Sequence, residues 1–213
     1  MTRDEAYALI ERTKPPAVFV TGKTSTGKTT FAKRLHTTLE YQIVELDAIV
    51  LDTVVRAQPF ANEADVFFQV YRGSERTDWI AAFVSGVRTK FSGRGEGERL
   101  VIEGAVARNE TLQQMFLGVK FLFVYFHPAK LDTYTSMLRE RFAHEVRSGA
   151  TGLPKGFWKA VSDDDVRYFS ETDVMRKSLH DAIARYAQQS QQESIERLEY
   201  FRTQFNDIVV VQA

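Results

Sequence analysis

The stretch "AVFVTGKTSTGKTT", Ala17 to Thr30, decides how the rest of the chain is read. Its first four residues are continuously apolar, the mark of a strand buried on both faces as in a parallel sheet. The next ten, Thr21 to Thr30, are different in kind: two lysines, five threonines, a serine and two glycines, with no acid among them. Gly22 to Thr29, "GKTSTGKT", fits the pattern G-x-x-x-x-G-K-S/T. It also has the context that pattern needs, a buried strand before it and a helical stripe of Phe31, Leu35 and Leu39 after it.

A polyphosphate requires several donors converging on it. Glycines let the backbone fold into a nest of N–H groups, and the helix N-terminus beyond adds its dipole to the same anion. The expectation is that Gly22, Lys23, Thr24, Ser25, Thr26, Gly27, Lys28, Thr29 and Thr30 surround the phosphates. Lys28 reaches the terminal ones, and the Thr29 hydroxyl ligates magnesium, a hard cation suited to a hydroxyl, phosphate oxygens and water. Lys23 has two readings, an added phosphate ligand or a solvated charge. A loop that matches by chance is the competing reading of the whole stretch, and the flanking strand and helix weigh against it.

Working outward, Thr2 with Asp4 and Glu5 reads as the start of a helix that Pro15 and Pro16 end. "YQIVEL" is a second strand ending at Asp47, and Asn62–Tyr71 and Ser74–Phe91 are helices. "LVIE" ends a third strand at Glu103, and Val119–Phe126 is a fourth, stopped by Pro128 after His127. A helix from about Ala129 to Arg147 leads to "SGATGLPKGFW", whose composition suits a mobile flap, and Ser162 caps the next helix. Helical stripes at Met175, Leu179, Ile183 and Tyr186 and at Ile195, Leu198, Phe201 and Phe205 precede a fifth strand, "DIVVV". Alternation of this sort predicts an α/β fold, a five-stranded, mainly parallel sheet with helices on both faces. Ligands of such sheets sit at the carboxyl edge, where the loop, Asp47, Glu103 and His127 all fall.

Composition narrows the function classes. Lysine plus arginine equals aspartate plus glutamate, 28 against 28, so no net field draws in a nucleic-acid backbone. Cysteine is absent, which removes disulfides, thiolate metal sites and cysteine nucleophiles, and suits a reducing cytoplasm. The start of the chain has no signal-peptide core and no later run is long enough to span a bilayer, so the expected location is cytoplasmic, with no membrane partner. "NET" at Asn109 is read as a chance glycosylation triplet. Neither D-x-x-G nor N-K-x-D occurs, which argues against a GTPase, and "LVI" ends in Glu-Gly rather than the Asp-Glu of large motor ATPases.

The ordered set "GKTSTGKTT", "VELD", "VIEGAV" and the arginine-bearing helix "MLRERFAHEVR" resembles the uridine kinase and phosphoribulokinase branch of small-molecule P-loop kinases, along nearly the whole chain. The resemblance implies a P-loop NTPase fold of the nucleoside/nucleotide kinase kind. It implies one domain over 1–213 with a helical lid at about 139–165, ATP and Mg2+ as cofactors, and a small-molecule phosphate acceptor. It puts Asp47 near the acceptor hydroxyl and the metal, and Glu103 near the metal's waters. Arg139, Arg141 and Arg147 fall in a lid whose arginines clamp phosphates. Lys28, Asp47, Arg139 and Arg141 form the implied catalytic group, Arg147 joins the nucleotide ligands, and Thr29, Asp47 and Glu103 form the metal group. Where the family continues with aromatic residues after its aspartate, this chain has "AIVLDT". With the chain ending just after the fifth strand, base contacts are expected from the lid arginines or from the region after the loop's helix.

Plainer readings stand beside these. Asp47 and Glu103 can cap helices, and the arginines can form a solvated face, with Arg141 and Glu145 an i, i+4 pair. His127 reads as a strand-end residue, and Phe67, Phe68, Tyr71 and Trp79 as core or as an acceptor pocket. Two other functions compete with the uridine kinase-like enzyme: a zeta-toxin-like sugar-nucleotide kinase, and a non-catalytic ATP-binding switch or scaffold. The motifs leave the acceptor and the oligomeric state open.

Overall fold

Strand β1 (Ala17–Gly22) is buried at every position and lies in the middle of the sheet, parallel to β3 (Leu100–Glu103) on one side and β4 (Leu122–His127) on the other. β2 (Gln42–Glu45) pairs with β3, and β5 (Ile208–Gln212) with β4, all parallel, in the order β2-β3-β1-β4-β5. The computed structural model describes residues 1–58, 60–105, 108–150, 152–205 and 207–213. Val106 of the "VIEGAV" string and Thr151 of the glycine-rich segment lie outside the described residues.

Side chains of β1 alternate between two cores, as the pleat requires. Val18 and Val20 pack with α1 (Arg3–Thr13) and α2 (Lys28–Leu39) on one face. Ala17 and Phe19 face the larger core, which gathers α3 (Leu46–Val50), α4 (Glu63–Tyr71), α5 (Thr77–Ser92), α6 (Asn109–Met115) and the C-terminal part of α10 (Lys177–Gln204). The sheet therefore carries helices on both faces, as the alternation of elements predicts. A third core lies apart from the sheet, where α7 (Leu131–Ser148), α8 (Lys155–Ala160), α9 (Asp163–Thr172) and the N-terminal part of α10 enclose Tyr134, Phe142, Phe157 and Ile183. Caps fall where the sequence puts them: Thr2 and Glu5 form a reciprocal capping box, and Ser162 Oγ accepts from Asp165 N at 3.1 Å.

Several boundaries differ from the sequence reading. The second strand stops at Glu45, and Leu46 and Asp47 open α3, because Leu46, Ile49 and Val50 are buried together at helical spacing. α3 then runs straight into a π-helical turn at Leu51–Val55. The fourth strand begins at Leu122, since Val119 N closes a turn onto Phe116 O at 2.8 Å and Phe121 stacks on Phe116 at 4.0 Å. Leu179 to Phe201 of the two late helical stripes lie on one helix, α10, of 28 residues, with Met175 just before its start and Phe205 at its C-cap. The segment expected to be a flap is anchored: Leu153 and Phe157 are buried in the third core, and Glu145 accepts from Gly152 N at 2.6 Å.

Candidate active site

The carboxyl edge of the sheet brings together the ends of β1, β2, β3 and β4, and the glycine-threonine loop sits at its centre. Gly22 has φ 135°, and a Cβ there would lie 2.2 Å from the Phe126 carbonyl oxygen of β4, so only glycine lets the loop leave the strand this close to its neighbour. Gly27 stands at the N-cap of α2 with φ 86°, and Ser25 is also left-handed at 59°. Between them the Lys23 carbonyl accepts from Thr26 Oγ1 and from Lys28 Nζ, both at 2.7 Å. Arg3 at the start of α1 braces the loop from outside, donating to the Thr26 carbonyl at 3.1 Å.

Charge is arranged around Lys28. Loss of hydration pushes its ammonium pKa down, the carboxylates of Glu103 and Asp47 oppose that shift, and Arg141 adds to it. Glu103, half-buried at the end of β3, is raised by burial, with Lys28 opposing and Asp47 and Glu45 adding to the rise. Asp47 is held by α4, where the Tyr71 hydroxyl donates to its Oδ1 at 2.5 Å. Burial, reinforced by Asp47, raises the Tyr71 pKa and keeps the phenol protonated. One ammonium, two carboxylates and a guanidinium thus share the mouth of the loop.

The donor set fits a magnesium ion. The Thr29 side chain is exposed at the loop mouth and close enough to Glu103 to favour its carboxylate form, with Asp47 beside them. Among the described residues no group of three or more His, Cys, Asp or Glu converges as a ready-made cage. Magnesium needs none, since it takes one or two carboxylates and fills its remaining positions with phosphate oxygens and water.

The structure separates the arginines. Arg141, on α7, lies near Lys28 and pairs with Glu145, the i, i+4 partner expected from the sequence. Arg139 is two residues away and so on the opposite side of the helix. It lines an open groove of about 570 Å³ with Asp132, Asp181 and Arg185, in which no loop residue takes part. Arg147 is held by Asp173 through two hydrogen bonds of 2.9 and 3.0 Å, over the Phe169 ring. Thr24 is half-buried, Thr30 exposed, and the hydroxyl of Ser25 is buried with no partner among the described residues. His127 ends β4 and shares a 3.0 Å hydrogen bond with Ser194 Oγ of α10. Of the aromatic group, Tyr71 and Trp79 are buried in the larger core, Phe67 packs against it, and Phe68 is exposed.

Two residues the sequence reading passed over now matter, Arg3 as the brace and Glu193 of α10, which takes the Lys23 ammonium, and Tyr71, read there as core or acceptor pocket, is the partner of Asp47. Only the burial of Tyr71 carried a hint, a tyrosine at core spacing that needs a place for its hydroxyl.

No family model matches the chain, and no curated protein does. Among solved structures it is similar to a gluconokinase from Sinorhizobium meliloti 1021, at 16% identity over 93% of this chain and 82% of that one, with a TM-score of 0.45. A shikimate kinase from Bacteroides thetaiotaomicron gives 17% identity, 90% and 84% coverage and 0.45. A chain from the PezAT chromosomal toxin–antitoxin system of Streptococcus pneumoniae gives 15%, 93% and 95%, and 0.41. Likeness at this level carries no argument about the reaction. Fold and chemistry rest on this chain's own geometry.

Proposed function

We propose that the protein is an ATP-dependent phosphotransferase that moves a terminal phosphoryl group to a hydroxyl of a small molecule, of nucleoside, nucleotide or sugar-like kind. The observation that carries this reading is the gathering of Lys28, Asp47 and Glu103 at the mouth of a phosphate-binding loop, with Tyr71 holding Asp47 in place. A bare nucleotide-binding loop needs Lys28, but it does not need an oriented carboxylate beside it.

The chemistry asks mainly for positioning and charge neutralisation. Loop amides and Lys28 hold the phosphates, and Lys28 exchanges its present bond to the Lys23 carbonyl for the terminal phosphate oxygens. Asp47 orients the acceptor hydroxyl and takes its proton. The bond from the terminal phosphorus to the bridging oxygen breaks, the bond to the acceptor oxygen forms, and ADP leaves. Magnesium, when bound by Thr29 with Asp47 and Glu103 nearby, neutralises charge on the phosphate oxygens. Arg141 reaches the transferring group on turning from Glu145, a role suited to a guanidinium fork. The helices around the third core close over the loop and keep water from competing with the acceptor.

The test is ADP release with purified protein and magnesium against a panel of hydroxyl compounds, with products read by the mass of an added phosphoryl group. Stimulation by particular acceptors is expected. Asp47→Asn should abolish transfer while ATP affinity stays within a factor of about 3, and Lys28→Ala should weaken ATP binding by about tenfold or more. ADP release indifferent to every acceptor, or joint loss of transfer and binding in Asp47→Asn, would overturn the reading.

A further inference from the structure

Close to the loop lies a cluster of positive charge that the phosphates do not account for. Lys23 is buried at 8% exposure, and its ammonium is tied to Glu193 Oε2 of α10. The other oxygen of Glu193 is also in use, accepting from Gln189 Nε2 at 3.0 Å. Arg197, one turn further along α10, is half-buried, and Glu193, the carboxylate its i, i+4 spacing would normally give it, is engaged by these two other donors. Arg72, at the C-terminal end of α4, is the third cation of the group. Among the described residues neither Arg72 nor Arg197 has a hydrogen-bonded side-chain partner or an ion pair. The three cations are near enough to repel: the charges of Arg72 and Arg197 help hold the Lys23 pKa down, after loss of hydration, and Arg72 does the same to Arg197.

The backbone fixes where this cluster sits. Arg72 follows Tyr71, whose hydroxyl is on Asp47, and the next residue, Gly73, has its carbonyl held by Arg108 at 2.7 Å. Arg197 follows Ser194, which is hydrogen-bonded to both Tyr125 and His127 at the end of β4. The chain thus sets Arg72 beside the residue that holds Asp47, and Arg197 one helical turn from Glu193, the residue that holds Lys23. Lys23 is buried, Arg197 half-buried and Arg72 exposed at the rim, so three cations with one shared carboxylate leave an excess of positive charge at the edge of a half-buried place, where an anion is favoured.

We propose that Lys23, Arg72 and Arg197 form an anion subsite for the acceptor, so that the molecule phosphorylated beside Asp47 carries a phosphate ester or carboxylate in addition to its hydroxyl. The proposal rests on the phosphotransferase reading for the word acceptor, while the subsite itself is a matter of binding. Arg72 and Arg197 supply forks that match anionic oxygens in pairs, and Lys23 supplies a point charge once the anion competes with Glu193 for it.

The test fills the loop first. Protein saturated with a non-hydrolysable ATP analogue and magnesium is titrated calorimetrically with inorganic phosphate and, separately, with glycerate, and thermal melts check that each variant is folded. One of the two anions is expected to bind the nucleotide-filled protein, and the tighter one tells a phosphate ester from a carboxylate. Arg72→Ala, at an exposed position, and Arg197→Ala should each weaken that binding about tenfold or more, with Arg197→Lys falling between, while analogue affinity changes by less than about a factor of 2. Absence of binding for both anions, equal binding in parent and variants, or a loss confined to the ATP analogue would overturn the subsite. If the parent fails to bind the analogue but still binds phosphate through Arg197, the phosphotransferase reading falls and the anion site stands.

Discussion

Tyr71 offers a clean separation between holding Asp47 and holding the fold. Its ring packs edge-on against Phe67 and Phe83 at 5.8 Å, and its hydroxyl reaches Asp47. Tyr71→Phe keeps the packing and removes the hydrogen bond. On the proposed transfer, with Asp47 as its base, steady-state kinetics should show kcat falling by about tenfold with KM for ATP little changed. An unchanged kcat would remove Tyr71 from the site. His127 makes a prediction about pH. Burial, then the charge of Arg202, lowers its pKa below the ordinary 6.5. The folded protein therefore resists a proton that the unfolded chain accepts. Stability is intact above 6.5 and is lost as pH falls from there through the folded value. His127→Asn, which can keep a partner for Ser194 Oγ, should flatten the dependence of melting temperature on pH between 8 and 5 relative to the parent.

At the scale of elements, the third core depends on a six-residue helix with little strength of its own, α8. What holds it is Phe157, fully buried, with ring centroids 6.0 Å from Phe142 and 5.1 Å from Tyr186. Phe157→Ala should cost about 3–5 kcal/mol in urea unfolding, the range for removing a buried ring. A change under about 1 kcal/mol would show that this layer is loosely packed and yields to fill the space. The glycines and proline around Leu153 read as a flap in the sequence because composition records chain freedom but not the two apolar anchors set among them. The opening of α3 at Asp47 was hidden for a similar reason. "YQIVELDAIV" fits a strand and a buried helix equally well over short windows, and only the position of the sheet edge decides between them.

For the whole molecule, the strands of the sheet and the loop at its centre were legible because "AVFV", "LVIE" and "GKTSTGKT" have local causes: burial on both faces, and a turn that glycine makes possible. The strand order was not, since nothing local to β1 states that β3 and β4 flank it. The site was legible in the same proportion. Lys28 opens α2, Asp47 stands in the first turn of α3 and Glu103 ends β3, all at the carboxyl edge where a parallel sheet binds ligands, and the structure brings their charges near one another. Glu193 and Lys23, by contrast, are 170 residues apart, and Glu193 followed by Arg197 reads in isolation as a solvated helical pair. Arg139, Arg141 and Arg147 looked equivalent on one helix, and only the helical rotation between them, together with Asp173 arriving from α9, gave them different surroundings.

α10 runs without a break for 28 residues, roughly 40 Å at the α-helical rise. Its first turns belong to the third core, its last turns carry Leu198 and Phe201 into the sheet, and Glu193 between them grips the loop. A rod seated at both ends transmits tilt. A displacement of the outer helices would therefore reach the grip on Lys23 through one continuous shaft, with no loop between to absorb it.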